Sequence, residues 1–196
     1  MPNFRMERKD IIDALSELIT LLKTSKTKVK IRVVGGAALS LRYFNRLATT
    51  DIDSLDFTTG DHETVQDAIL LVGRNLGLPL DWLNTEVSKI DAFPTVGKEV
   101  HWETIFSESG IEIAVPSAEV LLVMKLKANR PGRDTDDIRK LITQIGFTDL
   151  AQVEQLFEDY YPGEILSSRA SKTTKEIISE KKTDAPIFPP PPFGEQ

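Results

Sequence analysis

Residues 28–39 decide the fold, and they read Lys-Val-Lys-Ile-Arg-Val-Val-Gly-Gly-Ala-Ala-Leu. The polar and apolar alternation that becomes wholly apolar at Val33-Val34 predicts a strand entering a core. Gly35-Gly36 ends that strand, and Ala37 to Phe44 predicts a short helix. A strand that ends in glycines and opens a helix presents unpaired backbone N–H groups to which a phosphate can come close. The same pattern also fits an ordinary tight turn, so it does not assign a function by itself.

A second pattern follows at residues 46–53, which read Arg-Leu-Ala-Thr-Thr-Asp-Ile-Asp. Side chains two residues apart on a strand point to the same face, so Asp51 and Asp53 project together while Ile52 anchors in the core. Carboxylates this close repel each other unless a cation lies between them. Magnesium suits such a pair because it is bound through carboxylates and substrate phosphates. A lone Asp-x-Asp is more often plain surface, so the inference depends on the glycine turn that precedes it.

The other patterns place helices and strands around this centre. Apolar residues three and four apart predict helices, and alternation predicts strands. We therefore expect helices over 7–23 and 62–76, a strand over 51–57, a hairpin of strands over 100–106 and 111–115, a short strand or turn over 80–83, and a helical region over about 117–165. The fold class is α/β of the α+β kind, with a short mixed sheet and helices followed by the small helical region.

The composition changes after about Arg169. Residues 170–184 are rich in Lys, Ser, Thr and Glu, although Ile177 and Ile178 could lie on a weak helix. Pro189 to Pro192 favour extended polyproline geometry. We therefore expect a domain over residues 1–165 and a disordered tail rich in Lys, Ser and Pro over residues 166–196.

Composition excludes several classes of protein. The 196 residues contain no cysteine, which removes disulfides, thiolate metal sites and cysteine nucleophiles. No apolar run reaches the roughly 18 residues that span a bilayer, and the N-terminus lacks the apolar stretch of a signal peptide, so we expect a cytoplasmic protein without a membrane partner. The net charge of −6 argues against indiscriminate coating of nucleic acid. A basic stretch over residues 125–140 still leaves an RNA substrate open.

These motifs carry a resemblance to a known group of enzymes. Val34-Gly35-Gly36 followed by Asp51-Ile52-Asp53 resembles the signature of the polymerase-beta-like nucleotidyltransferase superfamily. Residues 46–53, Asp81-Trp82-Leu83-Asn84 and the stretch from Met124 to Asp137 are similar to a family of predicted bacterial nucleotidyltransferases. That family is similar in turn to the abortive-infection (type IV toxin–antitoxin) nucleotidyltransferase toxins. The likeness covers residues from about 10 to 165.

The resemblance implies a role for particular residues. It implies that Asp51, Asp53 and a third carboxylate are catalytic and hold Mg²⁺ or Mn²⁺, and the third is either Asp81 or one of its rivals Glu103 and Glu112. It implies that the nucleoside triphosphate substrate is bound by Gly35, Gly36, Arg46, Thr49, Lys125, Arg130 and Asp134. Asp134 and Asp137 share one face at a helix start. There they either favour the helix N-terminus or orient Lys125 or Arg130 through charge-assisted hydrogen bonds.

The resemblance also implies a reaction. We expect a nucleoside monophosphate to move from a triphosphate to a hydroxyl of RNA (tRNA) or protein, with release of pyrophosphate. A toxin of a toxin–antitoxin or phage-defence system, paired with a cognate antitoxin protein, is the biological role that the likeness suggests. Two alternatives stay open, namely a non-catalytic nucleotide-sensing or partner-binding module and a nucleotidyltransferase for small molecules such as antibiotics.

Overall fold

A four-stranded mixed sheet and seven α-helices make up the part of the chain that the computed structural model describes, residues 4–46, 48–89, 92–180 and 186–194. The chain divides into two units. The first unit comprises Met1–Ile90, Trp102–Pro116 and Phe188–Gln196, and the second comprises Asp91–His101 and Ser117–Ile187. The mixture of helices and a mixed sheet confirms the α+β class expected from the sequence.

The first unit contains the sheet. Its elements are α1 (Arg8–Ser25), β1 (Val29–Arg32), α2 (Gly35–Ala38), β2 (Ile52–Asp53), β3 (Thr58–Thr59), α3 (His62–Leu76), β4 (Leu83–Asn84), a 3₁₀ turn (Glu86–Lys89), β5 (Trp102–Glu108) and β6 (Ile111–Pro116). The strand order is β3-β1-β6-β5, with β1 and β6 parallel and the other pairs antiparallel. β2 and β4 form a separate parallel pair.

Alternating apolar side chains build the core of this unit. Ile31 of β1 and Ile113 of β6 are fully buried and lie opposite each other in the parallel register. Leu15 and Leu18 of α1 are also fully buried, and α1 packs against α3. Ser109 and Gly110 both have positive φ, 55° and 82°, in the turn from β5 to β6, which confirms the expected hairpin.

The helix that follows the glycine turn changes its winding partway. α2 begins at Gly35 and continues as a π-helix over Leu39–Tyr43. The Phe44 amide donates to the Leu39 carbonyl at 3.1 Å, which closes the wider π turn. The helical segment therefore starts two residues before the position expected from the sequence.

The second unit is helical. Its helices are α4 (Ala118–Ala128), α5 (Thr135–Ile145), α6 (Leu150–Tyr160) and α7 (Ser168–Ser179). Every residue from Val120 to Leu126 of α4 is buried, as in a helix enclosed on all sides. Asp149 forms a reciprocal capping box with Gln152 at the start of α6.

Helix α7 corrects the expected disordered tail over residues 168–179. The Ser167 hydroxyl accepts a hydrogen bond from the Ala170 amide and caps the helix start. Ala170, Thr174 and Ile177 are buried at spacings of four and three, and α7 packs against α5 and α6. A narrow buried face therefore orders a mostly polar segment. Residues 181–185 and 195–196 of the expected tail lie outside the described residues.

No helix within the described ranges combines the length and the apolar character that a bilayer crossing requires.

Candidate active site

Asp53 lies on β2 and Asp51 directly precedes it, and backbone hydrogen bonds hold this strand from both sides. Asp51 and Asp53 are half-buried, whereas Ile52 between them is fully buried. The Val34 amide donates to the Asp53 carbonyl at 2.9 Å, and the Ile52 amide donates to the Trp82 carbonyl at 2.7 Å. The burial alternates as a strand requires, so the neighbouring chain segments fix the backbone from which both carboxylates project.

The Gly35-Gly36 turn lies directly against this strand. Gly35 has φ +64°, a left-handed conformation that favours glycine, and a Cβ added there would lie 3.1 Å from Oδ2 of Asp53. A Cβ added to Gly36 would lie 2.9 Å from Nη1 of Arg46 and 3.0 Å from Oγ1 of Thr49. Asp53, Arg46 and Thr49 therefore lie close to the backbone of Gly35 and Gly36, and all five are site residues predicted from the sequence.

The N-terminal segment fixes the loop between the glycine turn and the aspartates. Met6 is fully buried, and its amide donates to the Thr49 carbonyl at 2.7 Å. The Thr49 amide donates back to the Met6 carbonyl at 2.9 Å. Arg46 donates through Nη1 to the Ala48 carbonyl, which bends the loop onto itself. Buried contacts outside the site thus hold Thr49 and Arg46 beside Gly36.

Asn84 adds an amide to the site, a role that the sequence pattern did not reveal. β2 and β4 pair in parallel, with Ile52 opposite Leu83 and Asp53 opposite Asn84. Nδ2 of Asn84 donates to Oδ2 of Asp51 at 3.4 Å. A two-residue strand shows no alternation, and its register depends on a partner far away in sequence. No local signal could therefore have placed Asn84 beside the aspartates.

Asp81, the expected third carboxylate, is exposed on the turn before β4. Its carbonyl oxygen accepts a hydrogen bond from Nδ2 of Asn84 at 3.4 Å. Within the described ranges, no three side chains of His, Cys, Asp or Glu form a group that could hold a metal ion. The strand register places Asn84, and not Asp81, opposite Asp53. A catalytic role for Asp81 stays a prediction.

The two rival carboxylates form ion pairs with basic side chains. Oε2 of Glu103 accepts from Nε of Arg42 at 2.6 Å, and its Oε1 accepts from the Tyr43 hydroxyl at 3.2 Å. Oε2 of Glu112 lies 3.3 Å from Nζ of Lys30. Neither pairing involves an aspartate of β2.

Trp82, which follows Asp81 in the motif at residues 81–84, belongs to the core. It is fully buried, and its indole N–H donates to the Ile69 carbonyl at 2.9 Å. A Cβ added to Gly73 of α3 would lie 3.3 Å from Cδ1 of the indole, so the glycine permits close packing. Trp82 thus anchors β4 against α3 and supports β2 through its carbonyl.

Lys125 lies in a buried charge cluster of the second unit. Its side chain is 5% exposed, and Nζ lies 2.7 Å from Oδ1 of Asp134 and 2.9 Å from Oδ2 of Asp137. Arg130 donates to Asp134 through its backbone amide at 2.9 Å, through Nε at 3.0 Å and through Nη2 at 3.2 Å. The structure thus shows the charge-assisted hydrogen bonds that the sequence analysis gave as one of two interpretations of Asp134 and Asp137.

The cluster stabilises the ionised form of Asp134. Burial raises the pKa of the Asp134 carboxyl, but hydrogen bonds from Arg130 and Lys125 outweigh burial and lower that pKa from 3.8 to about 2. Asp134 is fully buried, whereas the Arg130 side chain is 48% exposed. Asp134 therefore holds the Nε–Nη2 edge of the Arg130 guanidinium while about half of the side chain stays open to solvent.

The oxygen groups around β2 suit a hard divalent cation. The carboxylates of Asp51 and Asp53 are oxygen ligands of the kind that magnesium takes, and magnesium usually completes its shell with water and substrate phosphates. Gly35 leaves room next to Oδ2 of Asp53 that any side chain would fill. The first unit therefore offers a carboxylate pair beside open backbone, which can hold a metal ion and the phosphates of a nucleotide together.

Comparison with known proteins identifies the family. No curated protein and no solved structure matches the chain. Residues 9–182 match the family DUF6036, described as a nucleotidyltransferase of unknown function. The match includes the glycine turn, β2 and the Lys125 cluster, and it continues through α7, beyond the boundary at 165 expected from the sequence. The chain therefore belongs to this family of nucleotidyltransferases of unknown function.

Proposed function

We propose that the protein is a metal-dependent nucleotidyltransferase that moves a nucleoside monophosphate from a triphosphate to an acceptor hydroxyl. One observation carries the proposal, the 3.1 Å between a Cβ built on Gly35 and Oδ2 of Asp53. A triphosphate lying along the glycine turn would reach a metal ion on the aspartates without crossing a side chain. The superfamily proposed for this core is the polymerase-beta-like one, on the resemblance of the glycine turn and the Asp-x-Asp strand.

In this proposal the chain binds and orients the reactants. Asp51 and Asp53 would hold magnesium or manganese, which would supply positive charge near the attacking and leaving oxygens of an in-line displacement. The backbone of Gly35-Gly36 receives the phosphates, and Arg46 lies beside Gly36 where its guanidinium can pair with a phosphate oxygen. The acceptor oxygen forms a bond to the α-phosphorus, the bond to pyrophosphate breaks, and the hydroxyl proton leaves to a base, for which Asp81 is the candidate.

Within the second unit, the nucleotide-binding role that the resemblance implies suits Arg130 better than Lys125. Lys125 is already engaged by two buried carboxylates, so its role is to hold the cluster together. Arg130 keeps about half of its side chain exposed while Asp134 fixes its orientation. An arginine held in this way loses less side-chain entropy when it pairs with a phosphate. Of the two residues, Arg130 is therefore the better suited to pair with a phosphate.

The acceptor is a hydroxyl of RNA, such as the end of a tRNA, or of a protein side chain. The basic stretch over residues 125–140 favours RNA less than its sequence suggests, because many of its cations pair with acids. Apart from the buried Lys125 cluster, the pairs are Lys127 with Glu164, Arg139 with Glu180 and Lys140 with Asp136. A toxin role with a cognate antitoxin rests on the resemblance to the abortive-infection toxins.

A labelling assay tests the transferase. The full chain would be incubated with each α-labelled nucleoside triphosphate, with magnesium or manganese, and with bacterial RNA or lysate protein. We expect label on one acceptor fraction, and we expect Asp51→Asn/Asp53→Asn to reduce it by about 10²-fold or more. Asp56→Asn is the matched control, because Asp56 is exposed three residues beyond Asp53.

The outcomes separate the alternatives. Label transferred by the wild type and by Asp56→Asn, but not by the double variant, supports the proposal and names the acceptor class. Label transferred equally by all three proteins contradicts the metal site. Nucleotide binding without transfer under any condition, unchanged by the double substitution, favours a nucleotide-sensing module.

A further inference from the structure

The proline-rich C-terminal segment, Phe188 to Gly194, lies against the first unit. The Phe188 ring lies 6.4 Å from the Tyr43 ring. The Arg42 guanidinium lies over the Phe188 ring, 5.0 Å from its centroid. Nη2 of Arg8 donates to the Pro190 carbonyl at 2.5 Å. These contacts join the segment to α1 and to the π-helix, so it is docked rather than detached.

A second aromatic contact fixes the far end of this segment. The Phe193 ring packs edge-on against the Phe106 ring of β5, with 5.5 Å between the ring centroids and 72° between the planes. Phe106 is 6% exposed, so Phe193 meets an aromatic ring that belongs to the core. Phe188 and Phe193 thus anchor the two ends of the proline run on two different elements.

The prolines between the anchors present one face to the protein. Pro189 and Pro192 are half-buried, whereas Pro190 and Pro191 are exposed. A polyproline II helix has about three residues per turn, so residues three apart lie on the same face. The burial pattern is therefore that of a polyproline helix lying lengthwise on a surface.

The surface beneath the segment is a groove at the edge of the sheet. A cavity of about 610 Å³ is lined by Leu41, Arg42, Glu103, Thr104 and Ile105 together with the proline segment. β5 ends the strand order, so it is an edge strand with backbone groups open to pairing. Proline has no N–H to donate and cannot extend the sheet. The segment therefore contacts β5 through the Phe193 ring, whereas its Pro190 carbonyl accepts from Arg8 of α1.

We propose that this groove is a docking site for a proline-rich peptide with flanking aromatic residues, and that its occupant is the chain's own segment Phe188–Phe193. Polyproline segments bind aromatic-lined grooves because their extended shape is already formed and little entropy is lost on binding. Here Tyr43 and Arg42 contact the Phe188 ring and Phe106 contacts the Phe193 ring, on either side of the proline run. Arg42 is itself fixed by Glu103 at 2.6 Å, so the groove is preorganised.

One helical segment connects the groove with the glycine turn. The segment that begins at Gly35 ends at Tyr43, and Arg42 and Tyr43 are the residues that contact Phe188. The docked peptide therefore lies on the far end of the helix whose start faces Asp53. A proline-rich segment of another protein that displaced the tail would meet the same residues.

A peptide-binding assay on the full chain tests the proposal. The probe is a fluorescein-labelled peptide with the sequence of residues 186–194, followed by fluorescence anisotropy. A tethered segment acts at an effective concentration of about a millimolar, so the native tail should exclude the probe. We expect Phe188→Ala/Phe193→Ala to bind the probe at least about tenfold more tightly than the wild type. Ile187→Ala is the matched control, because Ile187 is 89% exposed in the same segment, and it should behave as the wild type.

A groove variant and a second readout complete the test. Adding Arg42→Ala to the double variant should weaken binding of the probe at least about tenfold. Adding Lys9→Ala, at an exposed residue of α1, should leave the affinity for the probe unchanged. Hydrogen exchange provides the readout that does not depend on the probe. The edge amides of β5 should exchange faster in Phe188→Ala/Phe193→Ala than in Ile187→Ala.

Three results would overturn the proposal. The first is a probe affinity that is equal in wild type and double variant, with unchanged exchange at β5. The second is binding that is indifferent to Arg42→Ala. The third is a wild type that sediments as a dimer and a double variant that sediments as a monomer, because the occupant would then be the tail of a second copy.

Discussion

Replacing Asp134 with Asn perturbs the charge cluster of the second unit at its centre. One pKa unit corresponds to about 1.4 kcal/mol, so a pKa lowered from 3.8 to about 2 corresponds to about 2.5 kcal/mol of stability. The substitution also leaves the buried Lys125 with one carboxylate partner fewer, and breaking a buried ion pair costs about 3–5 kcal/mol. These effects overlap, so we expect Asp134→Asn to lower the free energy of unfolding by about 3 kcal/mol at neutral pH.

The sign of the pH dependence follows from the direction of the pKa. The folded-state pKa of Asp134 lies below its unfolded value, so the stability it contributes is complete above the unfolded pKa of 3.8. That stability is lost as the pH falls through about 2. The difference in unfolding free energy between wild type and Asp134→Asn should therefore shrink by about 2.5 kcal/mol between neutral pH and pH values below about 2.

Urea unfolding followed by far-ultraviolet circular dichroism measures this difference at each pH. Circular dichroism is needed because both tryptophans, Trp82 and Trp102, belong to the first unit and would not report on the second. Asp136→Asn is the matched control on the same helix, since Asp136 is 67% exposed and pairs with the partly exposed Lys140. It should change stability by less than about 1 kcal/mol. An Asp134→Asn difference that stays constant down to pH 2 would refute the reasoning.

Three further substitutions test other parts of the structure. Gly35→Ala places a side chain at φ +64° and 3.1 Å from Asp53, and should lower the free energy of unfolding by about 1 kcal/mol. It should also weaken the binding of magnesium and nucleotide, as measured by calorimetry. Unchanged binding would contradict the proposed phosphate site. Asn84→Asp places a third carboxylate beside Asp51, so it should lower the melting temperature without metal and increase the rise in melting temperature that magnesium causes. An equal rise in the wild type and the variant would argue against a metal ion at β2. Ile177→Ala should cost about 2 kcal/mol in thermal unfolding because Ile177 is buried, and a neutral effect would mean that α7 does not pack as described.

Local rules account for the parts of the site that could be predicted. Side-chain alternation alone placed Asp51 and Asp53 on one face around a buried Ile52, and the structure has that burial pattern. The glycine turn was recognisable because a strand that ends in two glycines before a helix lets a phosphate approach the backbone closely. In the structure Gly35 has φ +64°. The Ser109-Gly110 turn and the hairpin it joins followed from the same kind of rule.

Long-range packing explains the parts that could not be predicted. Asn84 reaches the aspartates only because Ile52 and Leu83, distant in sequence, pair with each other. α7 is mostly polar, and its order depends on three residues buried against α5 and α6. Neither the position of Asn84 nor the order of α7 has a local sequence pattern that predicts it, and the polar composition of α7 favours disorder. The burial of Lys125 was likewise decided by two acids nine and twelve positions away, which fold back from the next helix.

The docked proline segment also has a consequence for synthesis of the chain. The groove it covers is complete once β6 has been made, but the segment itself begins only at Phe188. At about 5–20 residues per second, translation leaves the edge of β5 uncovered for several seconds. During that interval the nascent chain presents an open strand edge and two core aromatics to its surroundings. Docking of Phe188–Phe193 would therefore cover the surface through which the nascent chain could join another.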